Sequence, residues 1–242
     1  MGPYRCIACS TSFPTHTSVC TSCFENHCVV LVGSRPLAAV DHEPELTNAR
    51  ELAKATWKTG PLVAYPDLVV GHGALVVLVG PPGSGKSSMV SRALDGVKGT
   101  TLLLSVEEPN GPSLADRFAR LAIKRDDFMI ASRATVDQIA SIVREHKVVA
   151  LGIDSVQRST FVARDLRHLL ATLHSLTMLF AVSQVNRDGA TRGGPELEHE
   201  GDVTIDVEEL RWTVRKSRYQ PTEPRVSGGV LATPKEEADH AA

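Results

Sequence analysis

Eight consecutive residues combine glycines, a lysine and a serine in an order that suits phosphate binding. Residues 80–87 read GPPGSGKS and fit the pattern GxxxxGK[ST] at every fixed position. The segment follows the apolar run ALVVLV and opens a helical pattern, which is the strand–loop–helix context that the motif requires. Glycines let backbone N–H groups approach phosphate oxygens, and a helix N-terminus adds positive potential. The alternative, a glycine-rich turn with a chance lysine, does not account for this context.

The pattern predicts which residues would hold a nucleotide. Lys86 would reach the β- and γ-phosphates, and the Ser87 hydroxyl would bind Mg²⁺. The predicted nucleotide-binding residues of the loop and the following helix are Gly80, Pro81, Pro82, Gly83, Ser84, Gly85, Lys86, Ser87 and Ser88.

Acidic residues follow two further apolar runs. Asp154 ends VVALGID, and Glu107 and Glu108 follow TTLLLSV. The carboxyl ends of parallel strands meet at the edge where ligands bind, so these carboxylates are predicted beside the loop. There Asp154 would hold the Mg²⁺ shell, and one glutamate would orient or deprotonate the attacking water. The alternatives are an Asp that caps a turn and two exposed glutamates that begin a loop.

All five cysteines lie within the first 28 residues, which indicates a local site and not a disulfide framework. Two CxxC pairs separated by ten residues suit a tetrahedral Zn²⁺ site with the ligands Cys6, Cys9, Cys20 and Cys23. A segment this short cannot bury a large hydrophobic core. Metal binding would therefore supply much of the free energy of its folding. Disulfides or a redox CxxC are the alternatives. Three nearby residues break the symmetric spacing and are left out: Cys28, His16 and His27.

The alternation of short apolar runs with helical segments predicts an α/β fold with a mostly parallel sheet. The predicted strands are 74–79, 100–106, 128–131, 147–153 and 179–183; the predicted helices are 86–94, 113–123 with Ser113 as N-cap, 136–145 and 162–176. After Gly201 the helical period ends, and antiparallel edge strands are predicted at 203–207, 210–216 and 226–231.

Composition divides the chain into four regions. These are a zinc ribbon (1–33), a linker whose helix over 46–57 packs on a neighbour (34–60), an ATPase domain (61–232) and a disordered tail (233–242).

No run of 18 apolar residues predicts a membrane span, and cysteines stand where a signal peptide needs its apolar core, so the cytoplasm is expected. Net charge is -2 and aromatic content is 5%, so neither property indicates a nucleic-acid partner.

The order of these features resembles the bacterial RadA/Sms DNA repair ATPases, members of the RecA-like P-loop superfamily. The CxxC-x10-CxxC spacing matches that family, SVEE resembles its SGEES, and IDSVQ resembles its DSIQT. SQVNRDGATRGGPELEHEGD lies where the family has a stretch like GHVTKEG…GPRVLEH…D, and VRKSRY resembles KNRFG. The similarity runs over about residues 4–229 and implies a RecA-like ATPase core preceded by the zinc ribbon.

The resemblance implies catalytic roles by position. Glu107 would be the catalytic base, acting with Lys86. Lys216 and Arg218 would match the lysine and arginine of KNRFG and reach the γ-phosphate held by an adjacent subunit. From the residues alone, a K-S-R edge strand would simply be solvated.

The resemblance also implies contacts to phosphate at the end of the fifth strand. Gln184 lies where RecA-like proteins keep a polar residue that senses the γ-phosphate. Arg187 matches the lysine of VTKEG, and Arg192 lies on the same glycine-rich loop, which would face DNA in a ring's central channel. For Arg192, a mobile surface loop is the alternative.

The function implied is that of a DNA-dependent ATPase that translocates on single-stranded DNA during recombinational repair and branch migration. It would use ATP, Mg²⁺ and Zn²⁺, form a homo-oligomeric ring such as a hexamer, and act with recombination intermediates and a RecA-type recombinase, away from membranes.

The chain also departs from the family pattern. It stops before there is room for the family's Lon-protease-like C-terminal domain, so a short form is expected. SQVNR is closer to replicative helicases of the DnaB type, and KSRYQ lacks the Asn and Gly of KNRFG. The alternatives are therefore a DnaB-like replicative helicase or helicase-loading factor, and a nucleotide-gated adaptor without significant turnover.

Overall fold

The computed structural model describes residues 59–108, 111–185, 195–222 and 225–231, and the backbone of 4–6, 12–13 and 29–31. The chain divides into two compact units, Met1–Ala55 and Thr56–Ala242. In the first unit, β1 (Tyr4–Cys6) pairs antiparallel with both β2 (Ser12–Phe13) and β3 (Val29–Leu31). The predicted linker helix at 46–57 and the tail lie outside the described residues.

The second unit is built on a sheet in which six neighbouring strands run parallel. Its strands are β6 (Ala74–Gly80), β7 (Thr101–Ser105), β8 (Phe128–Ala131), β9 (Ala150–Asp154), β10 (Met178–Gln184), β11 (Val203–Glu208), β12 (Arg211–Ser217) and β13 (Ser227–Gly229). They are ordered β13-β12-β11-β6-β10-β9-β7-β8, and only β12 and β13 join antiparallel. A separate hairpin consists of β4 (Thr59–Leu62) and β5 (Tyr65–Gly71). The predicted α/β class with a mostly parallel sheet is confirmed.

Helices cover both faces of this sheet. They are α1 (Lys86–Asp95), α2 (Pro112–Arg120), α3 (Val136–His146), α4 (Ala163–Thr172) and α5 (Pro195–Glu200), with a 3-10 turn at Val156–Arg158. Leucines and valines of α1 and α2 belong to one core cluster, whereas those of α3, α4 and α5 belong to the other. Because β6 is buried on both faces, it reads as a continuous apolar run. No helix in the part of the chain that the structure describes is long and apolar enough to cross a membrane.

The predicted start of one helix was wrong. The helix predicted from Ser113 begins at Pro112, with Gly111 as its N-cap residue. Proline suits the first helical position because the N–H that it lacks has no partner within the helix there. The Ser113 hydroxyl instead donates to the side chain of Glu108.

Strand pairing near the carboxyl terminus also differed from the prediction. The strand predicted at 203–207 as an antiparallel edge is β11, which lies inside the sheet and runs parallel to β6. It is preceded by α5, a short helix in a segment for which no element had been predicted. The β4–β5 hairpin had no predicted counterpart. The strand predicted at 147–153 begins only at Ala150, because Lys147 ends α3 in the left-handed conformation (φ 51°).

Candidate functional site

The phosphate-binding loop joins the last residue of β6 to the first residue of α1, as predicted. Two of its glycines are required by the geometry. A Cβ on Gly80 would lie 2.0 Å from the backbone oxygen of Val207, so only glycine fits between the loop and β11. Gly85 has a φ of 104°, a conformation that other residues rarely adopt.

Lys86 is almost fully buried, at 5% exposure, and its ammonium faces the loop. Its Nζ donates to the Gly80 oxygen at 2.8 Å, the Pro81 oxygen at 2.6 Å and the Ser84 Oγ at 3.2 Å. Burial lowers the pKa of Lys86, while the negative charges of Asp154 and Glu107 act in the opposite direction. Anionic phosphate oxygens are stronger acceptors for an ammonium than carbonyl oxygens are, so this lysine is positioned to exchange loop carbonyls for phosphate.

Asp154 ends β9 and is buried at 4% exposure. Burial raises the pKa of its carboxyl group, opposed by a hydrogen bond from Ser87 and the positive charge of Arg117. A hydroxyl and a carboxylate held together at the start of α1 are the hard oxygen ligands that Mg²⁺ prefers beside phosphates. A divalent cation would also stabilise the charged form of this buried carboxylate. The residues present therefore fit Mg²⁺.

The structure separates the roles of the two predicted glutamates. Glu107 accepts hydrogen bonds on both carboxylate oxygens from the Gln184 Nε2, at 2.7 and 2.9 Å, and another from the Ser155 hydroxyl. Glu108 forms an ion pair with Arg117 and accepts from Ser113. Both oxygens of each glutamate therefore accept hydrogen bonds, and the difference is that Glu108 is paired with a cation. The prediction of Glu107 as the base is compatible with this difference.

Two residues of this site were missed by sequence reasoning. Arg117 of α2 contacts Glu108 and places its Nη1 3.5 Å from the Asp154 Oδ2. Ser155, which follows Asp154 across a cis peptide bond, donates to Glu107. Arg117 could have been found from the helical spacing of α2, because it lies on the same face as apolar residues that pack on the sheet. Nothing in the local pattern indicated Ser155.

Gln184 lies where it was predicted, at the end of β10 beside the loop. It pairs with Gly80 across the sheet, and its amide reaches Glu107. Gln157, in the 3-10 turn, donates to the Ser183 Oγ at 2.7 Å and so ties this turn to β10. A polar network thus connects the loop strand, the glutamate and the turn after β9.

Arg218 lies at the amino edge of the sheet, opposite the loop, whereas Lys216 is level with Val77 in the middle of β6. Arg218 N donates to the Asp202 oxygen at 3.0 Å, and Asp202 N donates to the Leu75 oxygen at 2.8 Å. Arg218 is therefore level with Leu75, roughly 17 Å along the strand direction from Gly80 at about 3.3 Å per residue. Lys216 Nζ donates to two carbonyls at the end of α5, Glu198 at 3.2 Å and His199 at 2.8 Å.

Asp202 organises this edge. It is buried at 5% exposure, and its side chain accepts from Leu75 N at 2.9 Å. Arg167 donates to both of its oxygens at 2.7 and 3.0 Å, and Arg218 pairs with it at 3.1 Å. One carboxylate therefore joins the start of β6, helix α4 and the residue after β12.

Several predicted site residues lie beyond what the structure describes. Cys9, Cys20, Cys23, Arg187 and Arg192 fall outside the described residues, and Cys6 is placed only as the last residue of β1. Among the described side chains, no group of three or more His, Cys, Asp or Glu could hold a metal ion. The Mg²⁺ site needs no such group, because phosphates and water complete its shell.

A buried loop lysine, a serine–aspartate pair and a hydrogen-bonded glutamate at the carboxyl edge of a parallel sheet define the class of P-loop ATPases. Sequence comparison finds relatives within this class of ATPases. The chain is 26% identical over 202 residues to the DNA repair protein RadA of Aquifex aeolicus (strain VF5), covering 75% of this chain and 43% of the relative. It is 27% identical over 151 residues to RadA of Haemophilus influenzae, covering 56% and 33%. These relatives support a RadA-type P-loop ATPase, as the motifs predicted.

The chain spans less than half the length of these two curated relatives. No family model matches it. A solved structure of an ATPase domain aligns with a TM-score of 0.47 at 16% identity, covering 64% of this chain and 79% of that one.

Proposed function

We propose that this protein hydrolyses ATP at the loop of residues 80–87, with Glu107 as the base. The observation that carries the proposal is the placement of Glu107. Its carboxylate is held by Gln184 and Ser155 at the edge where Asp154 and Ser87 are hydrogen-bonded to each other. A carboxylate oriented in this way at the end of a strand can accept a proton from water.

The chain's own residues divide the remaining work. Loop N–H groups and Lys86 would bind and orient the phosphates, and Ser87 and Asp154 would hold Mg²⁺. That ion would neutralise charge on the phosphate oxygens. Gln184 lies between the loop strand and Glu107, so it would adjust the glutamate according to what the loop holds. Most of the rate enhancement would come from positioning and charge neutralisation.

The partner that stimulates this activity is proposed to be single-stranded DNA in recombinational repair. The support is similarity to proteins named DNA repair protein RadA. Arg187 and Arg192 would contact DNA phosphates, and the cysteines Cys6, Cys9, Cys20 and Cys23 would bind Zn²⁺. The small antiparallel sheet of β1, β2 and β3 accompanies these cysteines.

A homo-oligomeric ring is proposed because Arg218 lies too far from its own loop. A group at the opposite edge of the sheet can reach a nucleotide only if that nucleotide belongs to a neighbouring copy. Arg218 pairs with Asp202 through its Nη1, and its side chain is 58% exposed, which leaves part of the guanidinium accessible to a neighbouring copy. Lys216, whose ammonium binds the end of α5, would first have to leave those carbonyls.

ATP turnover with and without single-stranded DNA tests this function. The wild-type protein is expected to release phosphate faster when DNA is present. Lys86→Ala removes the phosphate contact and is expected to abolish turnover, whereas Lys98→Ala, an exposed lysine just after α1, should retain it. Folded wild-type protein without turnover in either condition would refute the ATPase proposal. Strand displacement only at forked DNA would favour the DnaB-like alternative.

A further inference from the structure

A separate cavity of about 510 Å³ opens at the carboxyl edge of the sheet, beside the ends of β7, β8 and β9. Its walls are the residue after β7, the turn from β8 to α3 and the turn after β9. The lining residues that matter here are Val106, Arg133, Thr135, Gln138, Arg158 and Thr160. This is the edge at which ligands of parallel α/β sheets bind, and no motif in the sequence had indicated the cavity.

Two arginines give the cavity its charge. Arg133 and Arg158 are both exposed, and neither guanidinium forms a hydrogen bond or ion pair with another described residue. No lining residue is acidic. Asp137, in the first turn of α3, is the acidic residue nearest in sequence to Arg133; it lines an adjoining cavity together with Arg133 and does not line this one. The charged side chains that line this cavity are therefore both positive.

These groups suit an oxyanion such as phosphate. A guanidinium offers a planar pair of N–H donors that matches phosphate, and the Thr135 and Thr160 hydroxyls add weaker donors. Low aromatic content argues against recognition of stacked bases, so the contact would be to the backbone and independent of sequence. A continuous strand can pass across an open cavity of this kind.

Two short connections link the cavity to Glu107, the proposed base. Val106 lines it, and the next residue is Glu107. Arg158 N donates to the Ser155 oxygen at 3.3 Å, and the Ser155 hydroxyl donates to Glu107. A ligand that moves Arg158 would therefore move the serine that holds the base.

We propose that Arg133 and Arg158 bind a phosphodiester group of single-stranded DNA in this cavity, and that its occupancy stimulates hydrolysis through Ser155 and Glu107. This inference rests on the proposed DNA-dependent activity. It adds a contact on the turn after β8 and on the turn after β9 to the predicted loop that carries Arg187 and Arg192.

The test is binding of fluorescent oligo(dT) to full-length Arg133→Ala/Arg158→Ala over a range of salt concentrations. Loss of the contacts to this phosphate should weaken binding about ten-fold and reduce the slope of log K against log[salt] by about 0.7, since each phosphate neutralised on a single strand contributes about 0.7. ATP turnover without DNA should stay at the wild-type rate, and stimulation by DNA should fall. Arg133→Lys/Arg158→Lys should keep most of the slope.

Arg144→Ala is the matched control, because Arg144 is exposed in the last turn of α3, at the far end of the same helix. It should bind DNA as the wild type does. If the wild type binds DNA and the double alanine variant has an unchanged slope, the cavity proposal is overturned and the proposed function remains. If the wild type itself does not bind DNA, the proposed function fails first. If the double variant loses only inorganic phosphate binding, the cavity is a small-anion site and the DNA assignment is wrong.

Discussion

At the scale of single residues, the two adjacent glutamates show how context assigns a role. Glu107 and Glu108 have the same chemistry and consecutive positions after β7. Glu108 is paired with the Arg117 guanidinium, whereas Glu107 accepts hydrogen bonds from two neutral side chains among the described residues, Gln184 and Ser155. Breaking a charge-assisted ion pair costs more than breaking a hydrogen bond to a neutral donor, so Glu107 is the easier of the two to release towards a water molecule.

Exchanging each glutamate for glutamine should separate them. Glu107→Gln removes the proton acceptor and should lower kcat about 100-fold or more, with ATP binding retained. Glu108→Gln is the matched control and should change kcat much less, since it removes charge but keeps a hydrogen-bond acceptor for Arg117. Single-turnover kinetics with a separate ATP-binding measurement checks both. A larger loss in Glu108→Gln would reverse the assignment.

At the scale of elements, β11 fixes the shape of the phosphate-binding loop. Gly80 lies against the Val207 carbonyl, and Leu210 N donates to the Ser84 oxygen at 3.2 Å. Gly85 is close to the side chains of Leu210 and Val230. The hairpin of β11 and β12 therefore packs against the phosphate-binding loop and holds its backbone in place.

Replacing Gly80 by alanine should disturb this support. The added Cβ would meet a backbone oxygen, which cannot turn away as a side chain can, so Gly80→Ala should cost about 1–3 kcal/mol in free energy of unfolding and weaken ATP binding. Gly60→Ala is the control, because a Cβ there meets nothing within 4 Å. It should change stability by less than about 0.5 kcal/mol. Equal losses in denaturant unfolding would show that the contact with Val207 is unimportant.

The elements also show what the sequence could predict. The loop, Asp154 and Glu107 lie at the ends of apolar strands. The alternation of apolar strands with helices, and the positions at which the strands end, were therefore sufficient to place them. Arg117, Ser155 and the Arg167–Asp202 pair depend on contacts between residues distant in sequence, which local patterns do not encode. The parallel direction of β11 was missed because α5, its crossover helix, has six residues and sits beside glycines.

At the scale of the whole molecule, the phosphate-binding loop and Arg218 lie at opposite edges of one sheet. In the proposed ring, the two edges of neighbouring copies would meet head to tail, and such heterologous contacts close into rings when the rotation allows. Each site would then combine Lys86 of one copy with Arg218 of the next.

Mixing two inactive variants tests this arrangement. Lys86→Ala lacks the phosphate contact and Arg218→Ala lacks the group for the neighbour, so each alone should be nearly inactive. In equal mixtures, about a quarter of the contacts would join an intact loop to an intact arginine, and activity should recover in proportion. Co-assembled protein is assayed for ATP turnover against each variant alone. No recovery in verified mixed assemblies would mean that Arg218 acts within its own chain or not at all.

The contacts of the Asp202 carboxylate have a consequence for the order in which the sites of an assembly would hydrolyse ATP. Asp202 holds both Arg218 and the Leu75 N–H, and β6 runs from Leu75 to the loop, hydrogen-bonded to β10 and β11 along its length. A strand bonded on both sides does not stretch, so a small shift at Gly80 would be carried to the arginine at the other end. In a closed assembly, the β6 strands would link each site to the next in series. Hydrolysis would then proceed around the ring in order and not at random.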